Sequence, residues 1–278
     1  MPKEYDELGF DDDFLFCKIL SNNLELTKEL LEMILGIRIV DLKLAVPQKT
    51  IKITSDGKGI RLDVYVEEYA EDGRLVNTVY DIEMQTRIKK DLPKRVRYYQ
   101  GMIDLNLIEK GADYEELKKS VIIFICLDDP FGKGLHFYSF ENLCIQDTEI
   151  PLGDDTRKVF LNPKGTADDV SAELKDFLSF LLTGKAVSDF TKRLDKEVRD
   201  AKMKKRWRAE YMTLYQRDRE NFNDGKAEGL LEGRLEGRQE GQTQLADAIQ
   251  KIHAGANVED LIKAGVPEDT ANLAWTCR

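Results

Sequence analysis

The chain has 278 residues, 42% of them hydrophobic, and a formal net charge of −10, which suits one large or two smaller globular domains and excludes a disordered chain. It contains no run of about 18 apolar residues, and the opening MPKEYDELGFDDDF lacks the charged-then-apolar order of a secretory signal, so a soluble cytoplasmic protein with no membrane partner is expected. Cys17, Cys126, Cys144 and Cys277 stand far apart with only His136 and His253 beside them, which excludes zinc-type spacing and points to reduced thiols.

The acidic balance argues against indiscriminate coating of nucleic acid, but the charge is unevenly spread. Residues 86–100, TRIKKDLPKRVRYYQ, hold six basic side chains against one acid, Asp91. Residues 191–220 hold eleven basic against six acidic residues, interleaved with Trp207, Tyr211 and Tyr215. Two basic segments leave room for a polyanion.

In chain order, DDDFLFCKILSNNLELTKELLEMILG reads as a helical region opened by aspartates and stopped at Gly36. The period then changes to two: IRIVDLKL and KTIKI read as short strands, and GIRLDVYVEEY and LVNTVYDIEMQ as longer ones joined by AEDGR. PKRVRYYQGMIDLNLIEKG predicts a helix with Pro93 in its first turn and Gly111 at its close. SVIIFICLDD suits a strand buried on both faces, GLHFYSFENLC another strand, and ADDVSAELKDFLSFLLTG a helix ending at Gly184. A long charged helical pattern follows, then a glycine repeat, then two or three short helices. The expected organisation is a main domain over 1–188, a charged helical segment over 189–224, a glycine-repeat helix or linker over 225–243 and a small helical tail over 244–278.

The two longer strands carry the chemistry. Leu62, Val64 and Val66 share one face, leaving Asp63 and Tyr65 opposite, while Tyr80, Ile82 and Met84 share a face and leave Asp81, Glu83 and Gln85 opposite. In an antiparallel hairpin the position numbers of opposed residues have a constant sum, and for Asp63 and Glu83 that sum is 146, centred on Gly73. An odd-numbered loop, or a bulge, sets the two carboxylates across from each other; a two-residue Asp72-Gly73 turn sends Glu83 to the other face. Opposed acids repel at a Cβ separation of about 5 Å, and a hard divalent cation between them removes that cost. Mg²⁺ is commonly held by one or two carboxylates with water and substrate phosphate. The same pattern fits an ordinary solvated hairpin face, but the basic helix that follows favours a phosphate-handling site.

The succession LDVYVEE, YDIEMQT and RVRYYQGMIDLNLIEKGADYEELKKSVIIFICL resembles the PD-(D/E)XK nuclease superfamily, specifically the Rpn family of recombination-promoting nucleases and transposase-like proteins. The DDDFLFCKIL opening and the Gly- and Glu-rich repeat are similar too; the likeness covers about residues 10–185 well and the tail loosely. The resemblance implies an α/β fold with a restriction-endonuclease-like αβββαβ core and a helical C-terminal extension. It implies a deoxyribonuclease dependent on Mg²⁺, or on another divalent cation such as Mn²⁺ or Ca²⁺, acting on DNA in recombination or mobile-element traffic. Carried over by position, Asp63 and Glu83 are metal ligands, Asp13 reaches the metal or its waters, and Gln85 stands where the wider superfamily has lysine. Glutamine cannot supply that lysine's charge, so the metal carries more of the work, with Lys89 or Lys90 assisting, and a slow enzyme is expected. Arg87, Lys89, Lys90, Lys94, Arg95 and Arg97 are candidate phosphate contacts. A DNA-binding protein that keeps the fold without the activity is the alternative.

The segment GKAEGLLEGRLEGRQEGQ places Gly225, Gly229, Gly233, Gly237 and Gly241 at every fourth position. On a helix the ridge on one side carries Glu228, Glu232, Glu236 and Glu240, and that on the other Lys226, Arg234 and Arg238, so charges along each ridge repel and no Glu lies three or four positions from an Arg. Five glycines add a cost of about 0.8–1 kcal/mol each relative to alanine. A parallel homodimer would close the glycine ridges together and set Glu against Arg; a poorly ordered linker is the other reading.

Overall fold

A computed structural model of the chain describes residues 3–277, apart from 45–48, 52–58, 70–74 and 88. It divides into two compact units, residues 1–211 and 212–278. The first therefore runs past the composition change near residue 188.

In the first unit, α1 (Asp13–Asn22) opens on Asp12, whose carboxylate accepts the Phe14 N–H, and a break at Asn23 separates it from α2 (Leu24–Leu35). The helical region expected at the N-terminus is thus two helices, because the Asn23 side chain caps the second one. Helix α2 ends at Gly36 with φ +66°, a left-handed conformation that glycine adopts without the steric cost of a Cβ. The strands β1 (Asp41–Leu44), β2 (Thr50–Ile51), β3 (Ile60–Arg61), β4 (Val64–Tyr69) and β5 (Leu75–Gln85) follow. Next come α3 (Leu92–Leu107), β6 (Lys119–Cys126), β7 (Phe137–Phe140), β8 (Thr156–Leu161), α4 (Ala172–Thr183) and α5 (Asp189–Met203).

Six strands form one mixed sheet in the order β1-β4-β5-β6-β8-β7; β2 and β3 pair separately. β5, β6 and β8 run parallel in the centre, and the β1, β4 and β7 pairings are antiparallel. Strand β8 was not expected from the sequence. Its buried part is just Val159, Phe160 and Leu161, too short to show a period, yet it continues the sheet beyond β6. Every residue of β6 from Ser120 to Cys126 is buried, as its apolar run implied for a strand covered on both faces. Helix α3 covers one face, where Val96, Tyr99, Met102 and Ile103 meet Tyr65, Val79, Ile122, Phe124 and Phe160. The architecture is α/β, consistent with the restriction-endonuclease-like core and its C-terminal helices.

Helix α6 (Lys205–His253) is continuous for 49 residues and carries the whole glycine repeat. Within the second unit, its C-terminal turns, α7 (Val258–Lys263) and α8 (Glu268–Thr276) enclose a small core of Ala248, Ile252, Leu261, Ala271 and Ala274. No helix among the described residues is long and apolar enough to cross a membrane.

Candidate active site

The register of β4 against β5 is the first determinant of the site. Val64 pairs with Ile82, Tyr65 with Asp81 and Val66 with Tyr80, so each pair keeps the sum that sets Asp63 across from Glu83. An irregularity between Glu67 and Tyr69 shifts the pairing to Tyr69 with Leu75 and preserves its parity. The joining turn itself, with Gly73, lies outside the described residues. The Asp63 N–H donates to Glu83 Oε1 at 2.9 Å, and the Met84 N–H donates to Asp63 Oδ2 at 3.3 Å. The two acids are thus tied to each other's strands.

The solvated hairpin face is ruled out. Asp81 and Glu83 are each 1% exposed, and Asp63 and Gln85 8%. The pleat puts these acids on the side away from the Tyr80 stripe, but α3 covers that side, and β5 is buried on both faces from Thr78 to Gln85. Burying like charges is costly, and the carboxyls respond. Burial first, then the nearby Asp13, pushes Asp63 up from 3.8 to about 6. Burial, then Asp81 and Asp63, holds Glu83 well above the usual carboxylate range. Asp81 is raised by burial and by Asp63, and neither of its oxygens has a hydrogen-bond partner of acceptable geometry. Burial likewise pushes the Cys17 thiol, on α1 beside Asp63, well above its ordinary value.

Helix α3 brings a cation into this acidic centre. Arg95 Nη2 meets Glu83 Oε2 at 3.2 Å, Nη1 donates to Gln85 Oε1 at 2.8 Å, and Nε and Nη2 donate to the Tyr99 hydroxyl at 3.0 and 2.7 Å. Gln85 Nε2 in turn donates to the Arg87 carbonyl. Sequence reasoning placed Arg95 among surface phosphate contacts and Gln85 as an isolated substitution; the structure joins them. The signal lay in the helix period: Leu92, Val96, Tyr99 and Ile103 form the buried stripe of α3, and Arg95 falls within it.

An open groove of about 670 Å³ exposes the centre, lined by Asp13, Arg61, Asp63, Gln85, Lys89 and Lys94 together with Arg95, Tyr98 and Tyr99. Of the six expected basic contacts, Lys89, Lys94 and Arg95 line it, and Arg87, Lys90 and Arg97 do not. Asp13, the first residue of α1, is exposed at the rim. Among the described residues no three His, Cys, Asp or Glu side chains converge as a metal cage. The protein's own offer is two carboxylates, all oxygen, which fits Mg²⁺ or Mn²⁺ completed by water and phosphate and does not fit structural zinc. Asp63 and Glu83 thus oppose each other in the interior, with the Arg95 guanidinium as the cation beside Glu83.

Elsewhere, His136 is held structurally: Asp169 accepts its backbone N–H and lies 3.0 Å from Nδ1. Tyr211 packs on Tyr5 and Phe14 rather than presenting a stacking platform. Around each glycine from Gly225 to Gly241, the space a Cβ would take is empty, so packing within the chain does not require glycine there.

No curated protein and no solved structure matches the chain. The family model of the PD-(D/E)XK nuclease family transposases matches residues 11–227, most of the chain and all of the residues that build this centre, and the chain belongs to that family.

Proposed function

We propose that the protein is a Mg²⁺-dependent DNA endonuclease acting in recombination or mobile-element traffic, with its active centre at Asp63, Glu83 and Gln85. The observation that carries this reading is the buried opposition of Asp63 and Glu83, with Asp63 lining a groove rimmed by Lys89 and Lys94. Asp63 and Glu83 would hold the cation, and Asp13, at the rim, would bond its waters. Bound there, the cation supplies Lewis-acid polarisation of the phosphate and a lowered pKa for water.

The chain's own residues do the remainder. Lys89 and Lys94 bind flanking phosphates and place the strand without reading bases. The strand-to-strand bonds of Asp63 and Glu83 fix the carboxylates before substrate arrives, which lowers the reorganisation cost in the transition state. In the hydrolysis a water oxygen forms a bond to phosphorus, the bond from phosphorus to one deoxyribose oxygen breaks, and that oxygen takes up a proton while the water loses one.

One observation favours a weaker enzyme, or the non-catalytic DNA-binding alternative. Both Glu83 oxygens are already engaged, one by the Asp63 N–H and one by Arg95. Nicking of supercoiled plasmid, in Mg²⁺ against EDTA and with Asp63→Ala and Glu83→Ala, separates the readings. Metal-dependent nicking lost in both variants is expected; nicking indifferent to both substitutions refutes the assignment.

The glycine repeat is proposed as a parallel homodimer surface. Its continuous, exposed helix with open space over every glycine supports this, as does the lack of any ion pair within 225–244 among the described residues. A parallel mate would bring Arg234 and Arg238 to the unpaired Glu ridge.

A further inference from the structure

Position 85 lacks the lysine that would bring a positive charge to a phosphate at this centre, yet the centre is not short of a cation. The Arg95 guanidinium reaches it from α3, and its setting differs from that of an ordinary salt bridge. Tyr99, one helical turn further on, accepts from Nε and Nη2 and fixes the inner edge of the fork. The planar group also lies over the Tyr99 ring at 4.9 Å and within 5.5 Å of the Phe124 ring, which restricts it to one plane. Gln85 is itself oriented: its Nε2 is committed to the Arg87 carbonyl, so its oxygen must point to Nη1. Four of the guanidinium's five N–H donors are engaged within the protein, and the side chain is 34% exposed in the groove that holds Asp63. One donor on Nη1 remains for a ligand oxygen. Lys89 and Lys94, by contrast, are exposed at the rim.

Resting on the nuclease reading above, we propose that Arg95 is the catalytic residue that meets the scissile phosphate in place of a lysine at position 85, with Gln85 and Tyr99 as its positioning residues. The glutamine is then part of the device: an acceptor that holds an arginine where a lysine would compete with it. The Glu83 contact keeps the fork in place, and Nη2 would be free for a second phosphate oxygen if Glu83 held a cation instead. A planar fork suits bidentate contact with two non-bridging oxygens, where charge accumulates as the phosphoryl group is transferred.

The test uses the full chain with Arg95→Ala, Arg95→Lys, Gln85→Lys and the double variant Gln85→Lys/Arg95→Ala. Fluorescence anisotropy with a labelled DNA duplex in Ca²⁺, across a salt series, reads phosphate binding without turnover. Arg95→Ala is expected to lower the slope of log K against log salt by about 0.9, the value for one phosphate fewer neutralised, and the double variant to restore it. Mn²⁺ binding in the absence of DNA should be unchanged or tighter in Arg95→Ala. In single-turnover cleavage at saturating Mg²⁺, Arg95→Ala should fall about 100-fold or more, with at least tenfold recovered by lysine at position 85. An unchanged salt slope in Arg95→Ala overturns the proposal, as does wild-type cleavage at saturating metal with tighter Mn²⁺ binding, the signature of a counter-ion to Glu83. A wild-type protein that never cleaves but shows the slope change and its rescue sinks the nuclease reading while leaving Arg95 as a phosphate ligand.

Discussion

Replacing Asp63 by asparagine should stabilise the metal-free protein while abolishing the proposed cleavage. Asp63 is buried, and its carboxyl is pushed from 3.8 to about 6, first by burial and then by Asp13. Each tenfold change in proton affinity is worth about 1.4 kcal/mol, so an ionised Asp63 costs the fold about 1 to 3 kcal/mol at pH 7.5. The folded-state value lies above the unfolded one. The contribution of this acid to stability is therefore fully present below about pH 4 and is lost as the pH rises through about 6. Asparagine keeps an acceptor for the Met84 N–H and carries no charge at any pH. Urea unfolding in EDTA should show Asp63→Asn more stable than wild type by about 1 to 3 kcal/mol at pH 7.5, with the surplus falling toward zero at pH 4. A variant no more stable than wild type at pH 7.5, or one whose surplus is as large at pH 4, would refute the reasoning.

Changing all five repeat glycines to alanine should raise helicity by circular dichroism, at about 0.8–1 kcal/mol per site, yet convert a dimer to a monomer in sedimentation because methyl groups occupy the approach surface. Equal monomeric weights for the intact chain and one truncated before Gly225 would dispose of the dimer. Phe160→Ala should cost about 3–5 kcal/mol in urea unfolding, since Phe160 is buried and stacks on Phe124 at 5.9 Å beneath the site; a decrease below 1 kcal/mol would show that β8 is not part of the core.

Much of the centre was legible because strand geometry is arithmetic. A side-chain period of two, together with the position sum of an antiparallel pair, reduced the opposition of Asp63 and Glu83 to the parity of the turn, and the register has the parity that sets them across from each other. Burial of that pair was not legible. The rule that acids mark a wet face assumes a hairpin with one covered side, and it fails when α3 closes over the other. Arg95 was grouped with its basic neighbours as one of six candidate phosphate contacts, and its helical phase with Leu92, Val96 and Tyr99, which turns it inward, was not used. The break at Asn23 and the strand β8 were hidden because each is decided locally, by one capping amide and by three apolar residues. Cys17 gave no signal at all, since its proximity to Asp63 arises from helix α1 docking on the sheet.

The most direct measurement of the proposed metal centre is anomalous diffraction from crystals of the protein grown with Mn²⁺ and DNA. A single strong peak within about 2.2 Å of carboxylate oxygens from both Asp63 and Glu83, with a phosphate oxygen completing the set, is the expected result. Mn²⁺ bound elsewhere, or DNA seated with no ion between these two residues, would contradict it.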